Sequence, residues 1–191
     1  VKDFLYFKID RKKKILASTL LLALGYSKLD VANEFYENEN YVYDNASKKW
    51  KTKFNPENYK AKNFSEEVID AKTGKIVINL GDTVNYVKAK KLSNDGLKDI
   101  LVSQDSIYGK FLHNDIKVGE KEDEVFKIGT ELNETIIEQI LTANITTLKI
   151  SVTNSINKGP YLLTTLLNDK NNNKDEAITE IYKMLRPGEP P

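Results

Sequence analysis

Hydrophobic spacing along the chain changes period more than once. Phe4 to Ile9 alternates as a short strand ending at Asp10, and four consecutive cations follow, Arg11-Lys12-Lys13-Lys14. The apolar run from about Ile15 to Leu24 predicts a helix, with Gly25 where a left-handed cap is expected. Ser27 is placed to cap a second helix through about Glu37, with Leu29, Ala32 and Phe35 or Tyr36 on its buried side. From Asn40 the period becomes two. Tyr41-Val42-Tyr43 and Trp50 to Phe54 flank the turn Asp44-Asn45-Ala46-Ser47 and predict a β-hairpin. Beyond a loop with Pro56, Val68-Ile69-Asp70 and Lys75 to Leu80 flank Ala71-Lys72-Thr73-Gly74 as a second hairpin. Helical spacing returns after Val152. Gly159-Pro160 opens a segment with Tyr161, Leu162, Thr165 and Leu166 on one face. Asn168 to Asp175 reads as a polar loop, and Asp175-Glu176 begin the last helix with acid at its positive end. That helix carries Ile178, Ile181, Tyr182 and Leu185 along one side and is halted by Arg186-Pro187-Gly188. Glu189-Pro190-Pro191 is expected to be extended, the start of a stiff connection to more protein.

Within the β-rich middle a pattern recurs. Gly81-Asp82-Thr83-Val84-Asn85 returns as Gly129-Thr130-Glu131-Leu132-Asn133, an offset of 48. The same offset pairs Ile78 with Phe126, Leu80 with Ile128, Leu92 with Ile140, Gly96 with Asn144, Ile100 with Leu148 and Val102 with Ile150. Asn85 and Asn133 can each cap a helix, and Gly96 and Asn144 are the residue types that best tolerate φ > 0 beyond a helix end. A strand-helix-strand module is therefore expected twice, at about 68–102 and 116–152. The two differ in charge: residues 72–98 hold six lysines and two aspartates, residues 115–138 three lysines and eight acids. Opposite faces suit protein contacts, but two solvated surfaces are the simpler reading. An α+β fold follows, with residues 1–40 and 156–191 forming a mainly helical body into which 41–155 are inserted.

Composition narrows the function. With 40% hydrophobic and 30% charged residues, the 191-residue chain has the make-up of a folded soluble protein. Its 29 basic and 28 acidic residues balance, which argues against polyanion binding by the whole surface and leaves local patches. There is no cysteine for disulfides or thiolate metal sites. The longest apolar run is too short to span a bilayer and the first residues match no signal peptide, so a cytoplasmic setting is expected.

No catalytic constellation is visible. The single histidine, His113, sits in the alternating stretch Lys110-Phe111-Leu112-His113 and is expected to face solvent from a strand. Glycines form neither a dinucleotide nor a Walker pattern. Asp169, Asn171, Asn173, Asp175 and Glu180 have the spacing of a calcium loop, but Lys174 stands where the sharp turn needs glycine. Trp50 is either an exposed hairpin aromatic or part of a minor core. Arg11, Lys12, Lys13 and Lys14 can track phosphates by charge neutralisation, or can be a solvated helix entrance. Arg186, one of two arginines among the 29 cations, offers a planar donor fork for phosphate or carboxylate.

Two stretches together suggest a family. Phe7-Lys8-Ile9-Asp10-Arg11-Lys12-Lys13-Lys14-Ile15, followed by Leu21-Leu22-Ala23-Leu24-Gly25-Tyr26, resembles the β subunit of bacterial DNA-directed RNA polymerase. So does Gly159-Pro160-Tyr161 leading to Glu180-Ile181-Tyr182-Lys183-Met184-Leu185-Arg186-Pro187-Gly188-Glu189-Pro190-Pro191. The middle resembles, more weakly, the insertion of duplicated modules that proteobacterial β subunits carry in the lobe (β2) domain. One departure is Leu16-Ala17, where many members have Leu-Pro. The resemblance implies a non-catalytic piece of a nucleotidyltransferase that makes RNA on a DNA template with Mg²⁺ held by another subunit, β′. It implies a lobe forming one wall of the downstream DNA cleft, with Arg11 to Lys14 and Arg186 as DNA-facing candidates. It further implies the β′, α, σ and ω subunits as partners, and an insertion that docks transcription regulators in the nucleoid-associated cytoplasm. The alternative is a free-standing protein-interaction module that shares short polymerase-like motifs.

Overall fold

The computed structural model describes residues 3–59, 62–121, 123–154 and 158–190, and in it the first hydrophobic stretch is divided between strand and helix. β1 (Tyr6–Asp10) and β2 (Lys13–Leu16) form an antiparallel ribbon that pairs Tyr6 with Leu16 and Phe7 with Ile15. Ile15, expected to open a helix, is buried in β2, so α1 (Ala17–Ala23) starts after the strand. The basic cluster thereby lies in a hairpin and not at a helix entrance. α2 (Lys28–Phe35) begins at a capping box in which Ser27 and Asp30 exchange side-chain-to-backbone hydrogen bonds. With its start set there, Val31 and Ala32 face inward, Leu29 is exposed, contrary to expectation, and of Phe35 and Tyr36 it is Tyr36 that is buried. Tyr36 reaches the core because the chain leaves the helix at that residue with extended backbone (φ −131°, ψ 134°).

β3 (Asn38–Asp44) and β4 (Lys49–Lys53) make the first expected hairpin, with Tyr43 opposite Trp50. Trp50 is fully buried, its ring centroid 5.1 Å from that of Tyr43. The chain continues through β5 (Lys62–Asn63), β6 (Val68–Asp70), β7 (Ile76–Ile78), β8 (Thr83–Val84), α3 (Tyr86–Asn94) and β9 (Asp99–Val102). Then come β10 (Phe111–Leu112), β11 (Ile116–Lys117), β12 (Val125–Phe126), α4 (Glu134–Thr142), β13 (Thr147–Ser151), α5 (Tyr161–Asn168) and α6 (Lys174–Leu185). Among the described residues the architecture is α+β: six α-helices, a seven-stranded antiparallel sheet and three two-stranded ribbons.

Two compact units result, one of Val1–Asn38, Gly109–Leu132 and Lys149–Pro191, the other of Glu39–Tyr108 and Asn133–Leu148. The first is centred on Val31, Ala32, Tyr36, Phe111, Ile128, Leu162, Leu163 and Leu166, with Leu21 packed against them. Each large side chain buried there contributes about 1.5–3 kcal/mol. On α5 the inward face is Leu162, Leu163, Thr165 and Leu166, and Tyr161 is exposed. In the second unit β3, β4, β9, β6 and β7 lie side by side in that order. Phe54, Tyr59 and Phe64 form a row of rings beside them, with centroids 5.0 and 5.7 Å apart.

His113 corrects its expectation: it is fully buried. Its N–H donates to the Lys149 carbonyl (2.9 Å), carrying the β10–β13 pairing one residue further and drawing the side chain inside. The ring joins Ser151 Oγ at Nδ1 (2.8 Å) and Asn33 Oδ1 at Nε2 (2.9 Å). An amide oxygen only accepts, so Nε2 carries the hydrogen and Nδ1 accepts from the serine hydroxyl, which is the neutral ring. Burial, and to a lesser degree the Lys149 ammonium, holds its pKa below the ordinary value.

Backbone bonding recurs 48 residues apart. Val68 pairs with Ile78, and Ile116 with Phe126. Asn63 pairs with Thr83, and Phe111 with Glu131. The amide of Gly81 donates to Phe64 O and that of Gly129 to Leu112 O, with φ +83° and +86° at the two glycines. Asn85 and Asn133 accept from the amides of Lys88 and Ile136 as N-caps (both 2.9 Å). Gly96 and Asn144 take positive φ beyond α3 and α4.

Candidate nucleic-acid interface

The ribbon β1–β2 carries the sequence's most concentrated positive charge. Arg11 and Lys12 form its turn, and Asp10 Oδ1 accepts from the Arg11 amide (2.6 Å), stiffening the entrance. Strand alternation puts Tyr6, Lys8, Lys14 and Leu16 on one face and Phe7 and Ile15 on the other. Ile15 is buried and anchors that second face. Lys8, Arg11, Lys12 and Lys14 are exposed, while Lys13, opposite Asp10, is half-buried. The Lys14 ammonium lies 4.1 Å from the centroid of the Tyr6 ring, a cation–π contact that holds the side chain outward. Tyr6 and Phe7 are 48% and 49% exposed, so the ribbon shows aromatic surface interleaved with cations. Its base is tied down: Ala17 N donates to Leu5 O (2.8 Å), and Leu5 N to Thr165 Oγ1 on α5 (2.9 Å). Among the described residues none of these cations has a carboxylate in salt-bridge range. Fixed cations beside exposed rings can neutralise phosphates and stack on bases.

Arg186 lies in the same unit, at the end of α6, and α1 packs against α6 as well as against both strands of the ribbon. Its guanidinium is exposed, 5.9 Å from the Tyr182 ring and 3.4 Å from Glu189. Glu189 N donates to Arg186 O (3.3 Å), closing a turn with Pro187 and Gly188 (φ +88°) in the middle. Proline fixes the first central residue and glycine supplies the positive φ at the second, so the helix is halted at Arg186-Pro187-Gly188, as expected. Pro191 lies outside the described residues.

The calcium-like loop has other partners. Asp169 is buried and accepts from Ser18 Oγ (2.5 Å), Thr19 Oγ1 (2.8 Å), Asn171 N (2.9 Å) and Asn171 Nδ2 (3.0 Å). Its carbonyl accepts from Lys28 Nζ (2.8 Å), and Asn171 also donates to Glu180. Asn173 caps α6 by accepting from Glu176 N (3.0 Å). The loop is thus a polar clamp joining α1, α2 and α6. Burial lowers the Lys28 pKa, opposed by the nearby Asp169 carboxylate. Among the described residues no three His, Cys, Asp or Glu side chains converge where a metal could sit. No helix among the described residues is long and apolar enough to cross a membrane.

No family model matches the chain. Curated relatives do. The DNA-directed RNA polymerase subunit beta of Rickettsia conorii is 34% identical over 189 residues, which is 99% of this chain and 14% of the relative. That of Rickettsia felis is also 34% identical with the same coverage, and that of Rickettsia canadensis 33%. The chain thus spans 14% of the length of the curated relatives it matches. At 99% coverage the match takes in the helical ends and the β-rich middle alike. The chain is homologous over its length to a 189-residue segment of the bacterial RNA polymerase β subunit.

Proposed function

We propose that the chain serves DNA-templated RNA synthesis as a non-catalytic part of the polymerase β subunit. Residues 1–40 and 156–191 act as the lobe body at the downstream DNA cleft, and 41–155 as an insertion that docks regulators. Arg11, Lys12, Lys13 and Lys14 face DNA, with Arg186 as a further contact once it exchanges Glu189 for phosphate. The observation that carries the DNA reading is the anchored ribbon, whose Lys8, Arg11, Lys12 and Lys14 stand exposed beside Tyr6 and Phe7 with no carboxylate in salt-bridge range among the described residues. Its working partners are DNA and the β′, α, σ and ω subunits, in the cytoplasm at the nucleoid; Mg²⁺ belongs to another subunit.

The insertion reading draws on the 48-residue recurrence of strand pairing, caps and positive φ. We read it as a duplicated module, about 68–102 and 116–152, whose flanking pairs reach back to residues 62 and 110. Polymerase reconstituted with Arg11→Glu, Lys12→Glu and Lys14→Glu tests the DNA role. Open-complex lifetime should shorten, and its salt dependence should flatten by about one unit of log–log slope per lost phosphate contact. An unchanged lifetime and slope would remove the ribbon from the cleft. Finding the coding sequence as a separate short gene would favour the free-standing module instead.

A further inference from the structure

The two modules differ in what covers them. In the second, Ile128 is 4% exposed beneath Leu162, Leu163 and Leu166 of α5. Gly129 lies so close to that helix that an added Cβ would stand 2.2 Å from the Leu163 carbonyl oxygen. α5 is therefore seated on an apolar residue followed by a glycine. The residues 48 earlier are Leu80 and Gly81, in the same turn with the same hydrogen bonds and φ. There Leu80 is 65% exposed, and nothing lies within 4 Å of a Cβ built on Gly81.

The surroundings extend the bare seat. Lys88 Nζ reaches Asp82 Oδ2 (3.3 Å), which brings the first turn of α3 beside the Leu80–Gly81 turn. Val87, 74% exposed, belongs to that turn. Asn63 stands where the second module has Phe111, so the apolar floor is smaller here and centred on Leu80. α3 itself is basic: Lys88, Lys90 and Lys91 are exposed on it, within a stretch of six lysines and two aspartates. We infer that Leu80–Gly81 is a second helix seat, equivalent to the one α5 occupies, and that it takes an amphipathic helix with acidic flanks from a partner protein. The inference rests on the duplicated-module reading and gives the proposed regulator docking a place and a chemistry. A glycine turn lets a helix backbone approach closely, one leucine anchors its apolar stripe, and the lysines of α3 select acid and reject base.

The test is a titration of the ¹⁵N-labelled 191-residue chain with a synthetic helix of about sixteen residues, leucines at i, i+3, i+4 and i+7 and glutamates on both flanks. Saturable amide shifts are expected at Leu80, Gly81 and Val87, with binding weakened at least about tenfold by Leu80→Asp. Lys90→Glu with Lys91→Glu should weaken the glutamate-flanked helix and favour a lysine-flanked one. All three side chains are exposed, so the variants keep the fold, which their amide spectra check directly. Absence of saturable shifts overturns the inference. So does equal binding of the lysine-flanked helix by the unsubstituted chain, or displacement of the acidic helix by a single-stranded oligonucleotide at low concentration. The titration needs no polymerase, so its failure is distinct from failure of the transcription reading. The module equivalence is tested separately by the glycine comparison below.

Discussion

His113 acts as a clip and not as an acid or base. It joins Asn33 of α2 to Ser151 of β13, and its ring is neutral because burial and Lys149 disfavour the charged form. Folding therefore releases protons from this residue near and below its ordinary pKa of 6.5. Stability should be fully present above about pH 6.5 and fall as pH drops toward the lower folded-state value. Thermal unfolding across pH 5 to 8 checks this, with His113→Gln as the comparison: the variant should lose stability at neutral pH and lose the pH dependence that the histidine supplies. A histidine exposed as the sequence suggests would give no such difference. The strand was legible in Phe111 and Leu112, but the alternation was not borne out, since Phe111, Leu112 and His113 are all buried. The partners of His113 were not legible, because Asn33 and Ser151 lie 80 and 38 residues away in sequence.

At the scale of elements, caps and turns were the most legible features. Ser27, Asn85 and Asn133 cap helices where their side chains can reach an amide three residues on, a purely local matter. The ribbon was the failure of local reading. Ile15 and Leu16 suit a helix or a strand, and pairing with Phe7 and Tyr6 decides for the strand. Gly81 and Gly129, 48 residues apart and alike in hydrogen bonding and φ, give a direct comparison. Gly81→Ala should cost about 1–2 kcal/mol, the cost of left-handed backbone for an L-residue. Gly129→Ala meets the Leu163 carbonyl as well and should cost about 1–3 kcal/mol more, as overpacked sites do. Denaturant unfolding of the two variants measures the gap. Equal losses would mean that α5 is not seated on Gly129 as described, and would sink the comparison between modules.

For the whole molecule, balanced charge sets the terms. With 29 cations against 28 acids there is no long-range field to hold DNA, so the isolated chain should bind only through the ribbon. About three phosphates met by Arg11, Lys12 and Lys14 give a log–log salt slope of roughly −2 to −3 on duplex DNA. Fluorescence anisotropy against salt reads this. A much steeper slope, or binding that survives high salt, would contradict a local patch. The sequence by itself determined the α+β class, the caps, the first hairpins and the 48-residue recurrence, because these depend on spacing and on the φ preferences of single residues. It also carried the family, through motifs at both ends. Only the tertiary structure decided that the Arg11 cluster is a ribbon tip and that His113 is buried. It also decided that Asp169 clamps α1 to the final loop, and that one of two like turns is covered by a helix while the other is bare. Each of these depends on which distant segment arrives at a site, and no local pattern encodes that arrival.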